Sequence, residues 1–195
     1  MRIISGKHRG RKLLDCREFK DLRPTSDKNR ENLFNVLLSS RKIQEIDFDI
    51  SNCDLLDVFS GSGAVALEAL SRGIKSAALI DKNRDHLDLA KQNAELFGEN
   101  DLEYHCFDLS RSAFQSQRKF NLIFIDPPYN KNLALISLKN LAETGWVENG
   151  ALIIIEHFFA EKLSDAPENV RLLESRKYKD TIFSFFVFEG SQLPK

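Results

Sequence analysis

Long apolar runs are missing from this 195-residue chain. The longest, Ala151 to Ile155, has five residues, against the roughly 18 or more that span a bilayer, so no membrane insertion is expected. Cysteine is scarce: Cys16, Cys53 and Cys106 are odd in number and far apart. They match neither a disulfide framework nor a zinc pattern, and they read as reduced thiols of a cytoplasmic protein. The four histidines, His8, His86, His105 and His157, are equally scattered. No paired ligand spacing appears, so no metal is expected and the histidines read as surface or satisfied groups. No secretory signal is read at the start, because Met1-Arg2-Ile3-Ile4-Ser5-Gly6 turns polar before an apolar stretch develops. A transit peptide is disfavoured by Gly6 and Gly10, which break any amphipathic helix.

Charge of one sign is also lacking overall: 28 Lys and Arg stand against 29 Asp and Glu, a formal −1. That balance alone argues against a nucleic-acid binder. It is an average over two different parts. Residues 1–30 hold ten basic and four acidic side chains, a balance of +6, so residues 31–195 carry −7. The first fourteen residues contain five basic groups and no acid. Length and a 42% hydrophobic content suit one good-sized domain with an appendage, large enough to bury a core without staples.

Short β-rich runs alternate with helical patterns. Strands are expected at 54–59, 76–81, 102–106, 120–126 and 150–156. Helices are expected at 64–72, 83–97 and 133–143, with Gly73 and Gly98 closing the first two. Near-continuous apolar runs in the fourth and fifth strands imply burial on both faces, as in a parallel sheet covered by helices. The pattern is α/β and doubly wound. Residues 170–178 and 181–189 follow one another without room for a crossover helix, so they are expected to pair antiparallel. The aromatic run Ile182-Phe-Ser-Phe-Phe-Val-Phe188 reads as a core strand. Residues 1–40 form a separate basic extension: strand candidates at 3–5 and 11–14, a loop, and a helix over 28–38 capped by Ser26 or Asp27. Residues 41–195 form the main domain.

Gly61-Ser-Gly63-Ala-Val-Ala66 fits G-x-G-x-x-A, directly follows a strand and opens a helix. Asp81 ends the next strand, twenty residues on, where an acid binds ribose hydroxyls. No Gly-Lys-Ser/Thr follows, which excludes a P-loop. The loop alone leaves a nicotinamide dinucleotide and S-adenosylmethionine level. Asp57 tilts the choice, since a carboxylate ahead of the glycines opposes a pyrophosphate and suits ammonium and sulfonium charges. Asp108, just past the third strand, either accepts from an adenine amino group or caps the following turn.

Asp126-Pro127-Pro128-Tyr129 stands at the carboxyl end of the fourth strand. Ligands of open α/β sheets gather at such ends near the switch point, where the first and fourth strands are expected to be neighbours. An exocyclic amine on a nucleobase is a poor nucleophile, because its lone pair is delocalised into the ring. The Asp126 carboxylate and the Pro127 carbonyl can both accept from that NH₂ and aim its lone pair at a methyl sulfonium. Neither proline carries an N–H to compete. The Tyr129 ring can stack on the base, a contact worth about 1–3 kcal/mol.

These motifs resemble the RsmD family of bacterial ribosomal RNA methyltransferases, and the resemblance runs along nearly the whole chain. Gly6-Lys-His-Arg-Gly-Arg-Lys-Leu13 resembles the family's basic opening, and Arg23-Pro-Thr-Ser-Asp-Lys-Asn-Arg-Glu-Asn-Leu-Phe-Asn35 its RPT-x-D-x-x-RE-x-LFN signature. Leu56 to Ala64 and Leu67 to Gly73 resemble its cofactor loop and helix. Asp81 stands where the family often has Glu, and Lys179 where it tends to have Gly before the last strand. The resemblance implies a Rossmann-like class I methyltransferase fold: a seven-stranded, mostly parallel sheet with an antiparallel C-terminal hairpin and a small N-terminal hairpin and helix. It implies methyl transfer from S-adenosylmethionine to the N2 amine of a guanine in small-subunit rRNA. Asp126, Pro127, Pro128 and Tyr129 would be catalytic. Asp57, Phe59, Gly61, Gly63, Asp81, Lys82, Asp108 and Thr25 would hold the cofactor.

No room remains after Tyr129 for a separate target-recognition domain, so the N-terminal unit is expected to grip the substrate. Lys7, Arg9, Arg11 and Lys12 read as phosphate contacts, joined by Arg23 and Arg30. The resemblance also allows Arg23, Thr25 and Arg30 to face the cofactor or target pocket. The expected partner is small-subunit rRNA in an assembling or assembled particle, met by a monomer in the cytoplasm. Three other readings stand beside this one: a DNA adenine-N6 methyltransferase, which shares Asp-Pro-Pro-Tyr; a nicotinamide-dependent oxidoreductase; and a non-catalytic RNA-binding assembly factor.

Overall fold

The computed structural model describes residues 1–16, 19, 22, 25–111, 114–128, 132–161, 163 and 165–190. The chain forms two compact units, Met1–Asp108 and Leu109–Lys195.

Among the described residues the first unit holds four α-helices, α1 (Asp27–Ser39), α2 (Arg41–Gln44), α3 (Ala64–Ser71) and α4 (Arg84–Phe97), a short 3-10 turn at Ile50–Asn52, and three strands, β1 (Asp54–Val58), β2 (Ser76–Asp81) and β3 (Leu102–Cys106). The strands are parallel in the order β3-β2-β1, with Val58 opposite Ile80 and Asp81 opposite Cys106. Their carboxyl ends are therefore level, which brings residues 59–63, 82 and 107–108 to one edge. Every side chain of α3 is buried, as expected of a helix so poor in polar groups. The Asn83 side chain caps α4 by accepting from the Asp85 amide at 3.0 Å. Gly98, at φ +72°, closes that helix. Ser26 caps α1 by accepting from Asn29 N–H at 3.1 Å. The short helix α2 was not expected from the sequence.

The N-terminal strand candidates reduce to a single antiparallel bridge, Arg2 with Lys12. The reason lies in where the backbone donors go. Ile4 and Ser5 donate to the Glu68 carboxylate at 2.7 and 3.0 Å. Lys7 N–H donates to the Ser71 carbonyl at 2.8 Å and His8 N–H to Ser71 Oγ at 2.9 Å. The segment spends on α3 the groups that a strand ladder needs. Ile3 and Leu13 bury against Ala64, Leu67, Ala94 and Phe97. That apolar contact seats the basic segment on α3 and α4.

The second unit contains β4 (Phe120–Ile125), α5 (Leu133–Glu143), β5 (Val147–Phe158), β6 (Val170–Tyr178) and β7 (Thr181–Phe188), with strand order β4-β5-β7-β6. β4 and β5 are parallel, whereas β7 is antiparallel to both β5 and β6. Phe183 and Phe185 are fully buried, so the aromatic run is core strand. β5 begins earlier than expected because Gly150 adopts φ +82° where the register against β4 shifts between Phe120 and Leu122. At the last hairpin Tyr178 pairs with Thr181, and Lys179 supplies the left-handed residue at φ +56°. The turn forms despite the absence of glycine. Among the described residues no helix is long and apolar enough to cross a membrane.

Candidate active site

The loop from β1 to α3 concentrates unusual backbone. Phe59, Gly61 and Gly63 all have positive φ, at 61, 53 and 73°. For a bulky residue such as Phe59 this conformation is costly, and strain of this kind gathers at ligand sites. The two glycines serve different needs. A Cβ on Gly63 would stand 3.0 Å from Ala90 Cβ and 3.1 Å from Leu79 Cδ2, so this glycine lets α3 start close against α4 and β2. A Cβ on Gly61 would meet only Leu22, at 3.6 Å, which is ordinary contact. Gly61 thus keeps its ligand-facing reading, while Gly63 has a packing reason of its own.

Asp81 binds this loop directly. Its Oδ2 accepts from Gly61 N–H at 3.0 Å and its Oδ1 from Asn83 N–H at 2.9 Å. His86 Nδ1 lies 3.4 Å from Oδ2, and the Phe19 ring stands edge-on to His86 with centroids 5.9 Å apart. Asp57, 2% exposed, accepts from Ala66 N–H at 3.2 Å. It holds the first turn of α3, a task the sequence reading did not assign to it. Ser60 Oγ is buried without a hydrogen-bond partner among the described residues. A buried hydroxyl left so in a glycine loop suits a polar ligand that completes its bonding. Together with two buried carboxylates at the sheet edge, it fits a cofactor carrying ribose hydroxyls and positive charge. Lys82 is exposed and its carbonyl accepts from Cys106 Sγ at 3.8 Å. Asp108 is half-buried two residues beyond β3. Thr25 is half-buried, and its carbonyl accepts from Arg30 Nη1 at 2.6 Å.

In the second unit Asp126 is the first residue after β4, half-buried, followed by a buried Pro127 and an exposed Pro128. The pairing of Ile125 with Ile155 sets Asp126 level with Glu156 of β5. Tyr129 lies outside the described residues, as does Arg23. Beyond Glu156, His157 Nε2 lies 2.9 Å from Ser184 Oγ, itself 2.9 Å from Ser175 Oγ. Burial pulls the His157 pKa down, against the opposing pull of the Phe158 carbonyl and Glu161. His157 is thus a satisfied interior histidine.

The basic residues divide. Arg9 and Lys12 are exposed, with no ion pair among the described residues. Lys7 is exposed but pairs with Glu99 at 2.8 Å. Arg11 donates to the Leu96 carbonyl and lies over the Phe97 ring, 4.5 Å from its centroid. Arg30 corrects the expectation. It is fully buried and donates to the Thr25 and Arg2 carbonyls at 2.6 and 2.7 Å and to Asp27 at 2.8 Å. A guanidinium so enclosed braces the N-terminal segment and meets no phosphate.

Four residues that matter here carried no signal in the sequence. Glu68, Ser71 and Glu99 anchor the basic segment, and Asn93 lies between that segment and the glycine loop. The His8 ring is one of the anchored groups, with Nε2 2.5 Å from Glu99 Oε1. Each anchoring residue is a buried polar group on an apolar helix face or just after a helix. That is the one pattern that could have marked them.

Comparison with known proteins agrees along nearly the whole length. The model of a family described as conserved hypothetical protein 95 matches residues 1–187. Ribosomal RNA small subunit methyltransferase D of Haemophilus influenzae is 33% identical over 186 residues, 90% of this chain and 88% of its own. The Escherichia coli protein of the same name is 36% identical over 170 residues, 87% of this chain and 80% of its own. The solved structure of the E. coli protein yhhF superposes with a TM-score of 0.82 at 30% identity, covering 98% of this chain and 99% of that one. An RNA methyltransferase from Salinibacter ruber, in complex with S-adenosyl-L-homocysteine, shares the fold at 15% identity with a TM-score of 0.61, over 89% of this chain and 97% of its own. The expected Rossmann-like methyltransferase fold, seven strands with an antiparallel C-terminal hairpin, is the fold found.

Proposed function

The chain belongs to the RsmD family of methyltransferases, and from that premise we propose that it methylates the N2 amine of a guanine in small-subunit ribosomal RNA. The observation that carries the reading is Asp126-Pro127-Pro128 at the carboxyl end of β4, in a chain whose glycine loop is held by a sheet-edge carboxylate. S-adenosylmethionine supplies an electrophilic methyl group on a sulfonium. Asp81 and the Phe59–Gly63 loop bind and orient it, with Asp57, Lys82, Asp108 and Thr25 completing the pocket.

Asp126 and the Pro127 carbonyl accept the two hydrogens of the target amine and hold its lone pair toward the methyl carbon. A nitrogen–carbon bond forms as the sulfur–carbon bond breaks, and the nitrogen's proton is taken up at the Asp126 carboxylate. Tyr129 stacks on the base. Alignment supplies most of the acceleration, and the base must leave its helix to reach Asp126. Residues 1–40 serve as the RNA-contacting extension of the 41–195 domain, with Arg9 and Lys12 among the exposed cations on it, flanked by Lys7 and Arg11. The enzyme works as a monomer in the cytoplasm, on an assembling or assembled small subunit. Incubation with S-adenosylmethionine and small-subunit particles, followed by nucleoside mass spectrometry, should yield N2-methylguanosine. A different methylated nucleoside, or none, would overturn the assignment.

A further inference from the structure

Asn93 is fully buried in α4, and each polar atom of its side-chain amide has a partner in a different element. Nδ2 donates to the Ser62 carbonyl, inside the glycine loop, at 3.1 Å. Oδ1 accepts from the Leu14 amide, in the basic segment, at 2.8 Å. The residues around it on α4 touch the same two elements. Ala90 crowds Gly63, and Ala94 and Phe97 pack with Ile3 and Leu13. An amide is rigid, so its oxygen and nitrogen cannot be re-aimed independently. A shift of the Ser62 peptide toward a ligand turns the plane and alters the bond to Leu14. The bond to Ser62 is buried, so leaving that carbonyl unsatisfied would cost about 1–3 kcal/mol; the Asn93 amide therefore turns with the Ser62 peptide and carries with it the part-buried bond to the exposed Leu14.

We propose that Asn93 is a positioning residue that couples cofactor binding at the glycine loop to the order of the basic N-terminal segment. The assignment rests on the reading of that loop as the cofactor site and of that segment as the RNA contact. Cofactor in the loop fixes the Ser62 carbonyl and, through Asn93, the backbone at Leu14. A segment already ordered costs RNA less to engage. Coupling between two sites is reciprocal, so bound RNA tightens the cofactor by the same factor.

Two measurements on the whole protein test this. The first is amide hydrogen exchange at Leu14 with and without S-adenosylhomocysteine. Wild-type protein should show at least tenfold slower exchange when the ligand binds, and unchanged exchange with ligand bound would overturn the coupling whether or not any variant folds. The second is calorimetric titration of S-adenosylhomocysteine with and without saturating small-subunit rRNA transcript. Wild type should bind at least fivefold tighter with RNA present. Asn93→Asp keeps the acceptor for Leu14 but cannot donate to Ser62, and Asn93→Ala loses both. Either variant, folded by circular dichroism, should lower the factor to within twofold of one. Retention of the wild-type factor in a folded variant would overturn the role of Asn93, because a merely structural residue changes melting temperature and leaves this ratio alone. Failure of the transcript to bind while S-adenosylhomocysteine still slows exchange at Leu14 would count against the RNA reading and leave the coupling standing.

Discussion

Gly6 and the Ser71 carbonyl are in such close approach that a Cβ on Gly6 would stand 1.7 Å from the carbonyl oxygen. Gly6 also has φ +82°. The neighbouring Lys7 amide uses the same carbonyl as its acceptor. The basic segment is therefore fitted to the end of α3 through its backbone. Gly10, at φ +84°, has open space where a Cβ would go.

The pair gives a direct comparison. Gly10→Ala meets only the left-handed backbone term, about 1–2 kcal/mol. Gly6→Ala meets that term and a backbone collision, so its cost should exceed that of Gly10→Ala by at least about 1 kcal/mol. Urea denaturation of the two variants checks the order.

The glycines of the loop from β1 to α3 should separate by a different criterion. Gly63→Ala crowds Ala90 and Leu79 at 3.0 and 3.1 Å on a left-handed backbone, so its main effect should be on stability, about 1–3 kcal/mol. Gly61→Ala meets nothing closer than 3.6 Å and should lose cofactor affinity with a smaller change in melting. Parallel thermal unfolding and S-adenosylhomocysteine titration distinguish the two. Equal losses of both properties in both variants would refute the division.

Glu99 sets a pH dependence. Burial pushes its carboxyl pKa up, but the hydrogen bonds and charges of Lys7 and His8 outweigh that and hold it below the ordinary value of 4.5. A carboxyl with a depressed folded-state pKa binds fewer protons folded than unfolded. Its contribution is present above pH 4.5 and is lost as pH falls through the lower folded value. Glu99→Gln should be less stable than wild type near neutrality, and the gap should close on acidification from pH 5 toward the folded pKa. Denaturation at a series of pH values follows the gap.

Much of this architecture was legible in the sequence, and the exceptions share a cause. β2, β3, α5 and β6 occupy the residues expected for them, because apolar periodicity is a local signal. Asp81, Gly61 and Asp126 stand at the sheet edges where motif spacing put them. The N-terminal strands shrink to one bridge because Glu68, more than sixty residues away, claims the Ile4 and Ser5 amides. Arg30 looked like a phosphate contact because a sequence shows charge and not enclosure. Asn93 and Glu99 were silent for the same reason: a polar residue on a helix declares nothing until its partners are brought to it.

Arg9 and Lys12 should carry the electrostatic contact with RNA. Replacing both with Ala should weaken binding to small-subunit rRNA and lower the log–log salt slope by about 1–2, with S-adenosylhomocysteine affinity unchanged. An unaltered slope in filter binding across a salt series would remove these two side chains from the RNA contact.

The central claim is that Asp126 acts on the target amine and leaves cofactor binding to the glycine loop. The most direct measurement is single-turnover methyl transfer to small-subunit particles by Asp126→Ala, beside titration of S-adenosylmethionine into the same protein. The account predicts transfer reduced by at least about 10²-fold, the lower range for a group that acts in the transition state, with the cofactor dissociation constant within about threefold of wild type, a difference under 1 kcal/mol. Transfer at the wild-type rate, or loss of cofactor binding in step with loss of transfer, would contradict it.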